Sequence, residues 1–221
     1  MRKLIATTFV TLDGVMQAPG GPDEDRSGGF EHGGWLVPYA DEDLGRLITP
    51  WTEQASAFLL GRGTYEIFSA HWPRVTDPQD VIARALNGRP KYVASKTLKK
   101  AEWNNSTVLS GDVVKAVAAL KKEGSGEIQV HGSHGLLQTL NANALVDVYR
   151  VWVYPVVLGS GKRLFESGAV PAALKLTATT TTSTGVLVNT YERADKVRYG
   201  EFSVDEHTTT MELFEGKFRP S

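Results

Sequence analysis

Twice in this chain a strand-like run stops at glycines and gives way at once to a helix-forming stretch. The first junction is Leu59-Leu60-Gly61-Arg62-Gly63-Thr64-Tyr65; the second is Glu127-Ile128-Gln129-Val130-His131 breaking at Gly132-Ser133-His134-Gly135. A strand that turns directly into a helix is the building unit of an α/β sheet, because a parallel neighbour strand is reached only through a crossover. The junction also has a chemical meaning. Glycines let the backbone approach a bulky anion, and the helix start that follows offers unpaired N–H groups and a partial positive charge. Thr64 is placed to cap the first of these helices. Arg62 adds a guanidinium fork of the kind that grips a phosphate monoester through two hydrogen bonds.

The rest of the chain keeps the same alternation. Strands are predicted at 3–12, 57–60, 91–95, 107–109, 127–131 and 146–157, with a terminal hairpin of 174–182 and 186–193 around Ser183-Thr184-Gly185. Helices are predicted at 41–55, 64–69, 80–86, 112–122 and 136–140. This reads as a three-layer α/β/α fold with a mostly parallel, mixed central sheet over residues 1–194, followed by a polar extension, 195–221. Residues 13–39, rich in Gly, Pro and Asp, form an unusually long connection, and a loop of that length in a compact domain is more often functional than idle.

Composition removes several function classes. There are no cysteines, so disulfides, thiolate zinc sites and cysteine nucleophiles are excluded. A formal charge of −1 gives no electrostatic reason to expect nucleic acid as a partner. No apolar run has the length of a membrane span, and the short apolar stretch after Met1-Arg2-Lys3 is not a secretory signal, so a cytoplasmic location is expected. Gly159-Ser160-Gly161-Lys162 lacks the first glycine of a phosphate-binding P-loop, with Val156 there, and has Arg163 where a magnesium-binding hydroxyl belongs. His131 and His134 are three apart with no third ligand in view, so no metal site is expected.

Five motifs in a fixed order, Leu12-Asp13-Gly14, Gly61-Arg62-x-Thr64-Tyr65, Ala94-Ser95-Lys96, Gly132-x-x-Gly135 and Val157-Leu158-Gly159-x-Gly161, resemble the dihydrofolate-reductase-like family. Within it the chain is most similar to the C-terminal reductase domain of the bifunctional riboflavin-biosynthesis deaminase-reductase and its stand-alone bacterial relatives, over about residues 2–193. The resemblance implies NADPH laid across the carboxyl ends of the sheet, a small-molecule substrate, and a homodimer. It places Gly61, Arg62 and Thr64 on the cofactor's phosphates, Ser95 and Lys96 beside the adenosine ribose phosphate, and Gly132, Ser133, His134 and Gly135 under the pyrophosphate.

The substrate side is read from single residues. Asp13, where the first strand meets the long loop, is the expected catalytic group, as a proton relay. Phe30, Trp35 and Tyr39 are expected to stack on a flat heterocycle, and Asp41, which opens the 41–55 helix, stands roughly where the resemblance to folate reductases implies a pocket carboxylate. The chain departs from the riboflavin enzyme at His131, where that reductase has a glutamate pattern, and it lacks the deaminase half. The expected activity is therefore NADPH-dependent reduction of a small heterocyclic or carbonyl-type substrate. Reduction of the riboflavin-pathway ribosylaminopyrimidine or of dihydrofolate, and a dimeric nucleotide-binding protein without turnover, stand as alternatives.

Overall fold

The computed structural model describes residues 1–200. Its elements run β1 (Lys3–Thr11), α1 (Glu42–Gln54), β2 (Ala55–Gly61), α2 (Arg62–His71), α3 (Val81–Gly88), β3 (Lys91–Ala94), β4 (Ser106–Leu109), α4 (Val113–Lys122), β5 (Glu127–His131), α5 (His134–Ala142), β6 (Val148–Tyr154), β7 (Leu174–Thr181) and β8 (Leu187–Arg193). The strands form one sheet in the order β4-β3-β2-β5-β1-β6-β8-β7. All pairs from β4 to β6 are parallel, and β8 alone runs against the others. The expected three-layer α/β/α architecture with a mostly parallel sheet is the one observed.

The central strands are apolar on both faces, as a sheet covered twice requires. Leu4, Ile5, Leu59, Leu60 and Ile128 are at most 1% exposed, and burying each such side chain is worth about 1.5–3 kcal/mol. On one face Leu59, Ile128 and Val130 meet Val117, Leu120, Leu136, Leu137 and Leu140 of α4 and α5. On the other, Trp152 and Tyr154 pack with Leu44, Leu47, Ile48 and Trp51 of α1, while Phe58 and Leu60 pack with Tyr65, Ala85 and Leu86 of α2 and α3.

Several local expectations need correction. The helix expected at 64–69 starts at Arg62 with Gly61 as its unassisted cap residue, so Thr64 does not cap it. Instead the Thr64 hydroxyl accepts from the Ser133 amide at 3.1 Å. The helix expected at 136–140 starts at His134, directly after two left-handed residues, Gly132 and Ser133. The last strand of the parallel set ends at Tyr154 rather than continuing to 157. Of the extension expected at 195–221, residues 201–221 lie outside the described residues.

Candidate functional site

A cavity of about 1030 Å³ opens over the carboxyl ends of β1 to β5. Its position follows from topology. The chain leaves β2 toward β3 on one side, whereas it leaves the neighbouring β5 toward β6 on the other, beyond β1. A crevice forms where adjacent strands send their crossovers in opposite directions, and that is where α/β sheets hold ligands. The first residues of α2, α4 and α5 all line it, so three helix N-termini face one space.

The nine residues expected to hold a cofactor are gathered here: Gly61, Arg62, Thr64, Ser95, Lys96, Gly132, Ser133, His134 and Gly135 all line the cavity. Ser133 ties the two glycine junctions together. Its hydroxyl accepts from the Gly61 amide at 2.9 Å and donates to the His131 carbonyl at 2.9 Å, and its amide donates to Thr64. These three bonds hold a non-glycine residue at φ 60°, a left-handed conformation that side chains seldom adopt. At the rim, Arg62 donates to the Thr97 hydroxyl at 3.1 Å and lies 3.7 Å from Glu66. Lys96, also in the lining, is exposed. The Ser95 hydroxyl is turned back onto its own loop, accepting from the amides of Thr97 and Leu98. The His134 ring meets Glu166 at 2.8 Å.

The other end of the cavity is built by side chains that the sequence reading did not single out as site residues. Residues 16–19, Glu24 and Asp25 of the long loop line it together with Phe9, Phe68, His131 and Lys162. The loop is held there by the 158–164 segment. The Met16 amide donates to the Lys162 carbonyl at 2.8 Å, and the Lys162 ammonium meets Asp25 at 2.6 Å and the Ser27 hydroxyl at 2.7 Å. Gly161, at φ 119°, lets this segment pass close to Val15 and Phe30, where any side chain would collide. Lys162 thus belongs to the segment with a superficial likeness to a P-loop, but what it grips is the chain's own loop. Burial pushes the Glu24 carboxyl above its ordinary pKa, against the amide hydrogen bonds it accepts from Gly20 and Gly21.

The residues expected on the substrate side lie away from this cavity. Phe30 and Trp35 are 5% and 7% exposed and belong to the core under α1, the Trp35 ring donating to the Gln17 carbonyl at 2.8 Å; neither lines the cavity. Asp41 caps α1 by accepting from the Leu44 amide and is bound by the Ser183 hydroxyl at 2.7 Å, so it serves the β7–β8 turn instead. The helix α1 contributes nothing to the lining. Asp13 also lies off the cavity, and its carboxylate is already engaged by the Thr11 hydroxyl and the amides of Leu158 and Gly159. Burial works against ionisation, but these hydrogen bonds outweigh it and hold the pKa at about 2. Such a group keeps no proton to give near neutral pH.

Between the two apolar clusters of the α1 face runs a polar stripe. Arg150 makes two bonds to Glu127, at 3.0 and 2.9 Å, and lies 5.0 Å from the centre of the Trp51 ring. Gln129 donates to Glu127 at 3.0 Å and to the Trp51 carbonyl at 2.5 Å, and its oxygen meets His131 at 3.2 Å. Burial, and then the Arg150 charge, push the His131 pKa down to about 4, so the ring is neutral at physiological pH. Among the described residues no group of three or more metal-ligating side chains is found.

The model of the RibD C-terminal domain matches residues 2–188. The chain belongs to this family. An uncharacterized protein of Bacillus subtilis, YyaP, is 29% identical over 192 residues, covering 86% of this chain and 94% of its own. Among solved structures, a putative riboflavin biosynthesis protein from Shewanella superposes with a TM-score of 0.65 at 18% identity, covering 87% of this chain and 99% of its own. Dihydrofolate reductase from Enterococcus faecalis, solved with NADP(H), superposes with a TM-score of 0.57 at 16% identity, covering 87% and 97%. At these identities the structural matches establish the dihydrofolate-reductase-like fold. Among the described residues no helix is long and apolar enough to cross a membrane.

Proposed function

We propose that this protein is an NADPH-dependent reductase of a small heterocyclic or carbonyl-type substrate, working in the cytoplasm. The observation that carries this reading is the convergence of three helix N-termini, two glycine turns and the cations Arg62 and Lys96 on one cavity. That donor set suits a dinucleotide with an additional phosphate: amides at helix starts meet the pyrophosphate, and a rim guanidinium and ammonium meet the phosphate monoester. The dihydrofolate reductase solved with NADP(H), which shares this fold, supports the same cofactor. When bound, NADPH supplies the hydride.

The chain's own residues then do the rest. Gly132 and Ser133 leave room for the cofactor backbone, and the Ser133 bonds keep both turns in register. Phe9, Met16 and Phe68 give the opposite end apolar walls that exclude water. Glu24, partly buried and with its carboxyl pushed above its ordinary pKa by burial, is the lining carboxyl that meets the substrate at this end.

The deciding experiment is a titration with NADPH and NADH followed by tryptophan fluorescence, repeated with Arg62→Ala. NADPH is expected to bind at least tenfold more tightly than NADH, and the variant to lose that preference, a change of about 1.4 kcal/mol or more. Failure of either dinucleotide to bind would remove the reductase reading. Tight NADPH binding without turnover across a panel of imines and ketones would favour a nucleotide-binding protein.

A further inference from the structure

The cofactor reading leaves His131 without a task, yet this ring lines the cavity where the resemblance to the riboflavin reductase calls for a glutamate. Its protonation state follows from the stripe behind it. Both N–H bonds of the Gln129 amide are used, one by the Glu127 carboxylate and one by the Trp51 carbonyl, and both of these partners only accept. The Gln129 amide is therefore oriented without ambiguity, and its oxygen, which only accepts, is the atom that meets His131 Nε2 at 3.2 Å. Nε2 must then carry the ring proton. The remaining nitrogen, Nδ1, is a lone-pair acceptor with no partner among the described residues.

A second polar group lies next to it. Thr7 pairs with His131 across the β1–β5 register, is 3% exposed, and lines the same cavity. Its hydroxyl oxygen is buried with no hydrogen-bond partner. A buried hydroxyl without a partner is rare in a native protein and asks for a ligand or a water to satisfy it.

We infer that His131, with its tautomer fixed by the Gln129–Glu127–Arg150 stripe, is a substrate-reading residue that accepts a hydrogen bond from an N–H or O–H of the bound substrate, with the Thr7 hydroxyl completing the contact. This inference rests on the reductase reading for the cavity's role, though not for the tautomer. A neutral acceptor selects substrates that present a donor at this point and rejects those presenting a carboxylate, a phosphate or a methylated nitrogen, since lone pair would then face lone pair or a methyl group. Gln129 is a positioning residue: it touches no substrate and acts by deciding which ring nitrogen is bare.

The test has two readouts on NADP⁺-saturated protein at neutral pH. Long-range ¹H–¹⁵N correlation spectra should show His131 as the Nε2–H tautomer, and as a tautomer mixture in Gln129→Leu. Uracil and 1,3-dimethyluracil, planar rings differing in N–H donors, are then titrated while the His131 ¹⁵N resonances are followed. Uracil should bind at least tenfold more tightly and shift Nδ1. The preference should vanish in His131→Phe, persist in part in His131→Asn, which retains an acceptor, and shrink in Gln129→Leu. An Nδ1–H ring or an imidazolium overturns the inference. So do equal affinities for the two rings, no binding of either, or a preference untouched by His131→Phe. NADPH affinity, measured on each preparation, separates the two failures. If wild type binds no NADPH the reductase reading falls, whereas intact NADPH binding in variants with unaltered ring preference condemns the His131 inference alone.

Discussion

The two ends of the cavity are made of different materials. The rim over α2, α4 and α5 is built from backbone: helix-start amides, glycine turns and a left-handed Ser133, with two exposed cations added. The floor over β1 and β5 is built from side chains, Thr7, Phe9 and His131, and from a loop clamped by Lys162; behind His131, off the cavity, runs the polar stripe of Glu127, Gln129 and Arg150. Backbone donors are cheap to keep, because they cost the core nothing. The stripe puts charge under α1, where desolvation is expensive unless every group is paired. Damage at the floor should therefore show first as lost stability, and damage at the rim as lost affinity.

The largest expected effect breaks the stripe. Arg150→Ala leaves Glu127 partly buried without its cation and removes the cation lying over Trp51, so it should cost about 3–5 kcal/mol of folding free energy, read from urea denaturation. The double change Arg150→Met with Glu127→Leu should recover most of that, because an apolar pair of similar volume needs no desolvation. A single variant that loses less than about 1 kcal/mol would mean the stripe is wet and the contrast between the two ends is wrong.

A smaller effect is expected at Asp13, which joins β1 to the 158–164 segment. Its folded pKa of about 2 lies below the ordinary 3.8. The unfolded chain thus takes up the proton more readily, so the stabilisation is complete above the ordinary value and fades as pH falls through it toward the folded one. Asp13→Asn should cost about 1–2 kcal/mol at neutral pH. It should also flatten the stability loss between about pH 5 and pH 3, as seen by urea midpoints at each pH. An unchanged acid slope would show that the Thr11, Leu158 and Gly159 bonds do not favour the charged form.

The same division explains what could be read in advance. The rim was legible because its chemistry is local: Gly61-Arg62-x-Thr64 and Gly132-x-x-Gly135 carry their meaning within a few residues of chain. The floor was not, because it depends on strand register. Thr7 pairs with both His131 and Arg150, residues 124 and 143 positions further along, and nothing local to any of them announces the meeting. Phe30, Trp35 and Asp13 lie away from the cavity for a related reason. Aromatic and acidic residues in a long loop have the composition of a binding site, yet here they anchor the loop to the core and to the 158–164 segment. The sequence showed a mostly parallel sheet with a terminal hairpin; which hairpin strand joins β6, and so runs against the rest, required the structure.

The smallest expected effect sharpens the rim. Arg62 is held by the Thr97 hydroxyl at 3.1 Å and faces Glu66 at 3.7 Å, with both charged side chains more than half exposed. An exposed pair one helical turn apart is worth about 0.3–0.5 kcal/mol, so Glu66→Gln should scarcely alter stability. It should alter binding in the opposite sense from a stability defect. Removing the competing carboxylate leaves the guanidinium in place, held by Thr97, and relieves repulsion toward an incoming phosphate. The preference for NADPH over NADH should rise about twofold at low salt, and the gain should disappear near 1 M salt, where screening acts within about 3 Å. A fall in preference would show that Glu66 orients Arg62 rather than competing for it. The rim would then depend on a side-chain network after all, as the floor does.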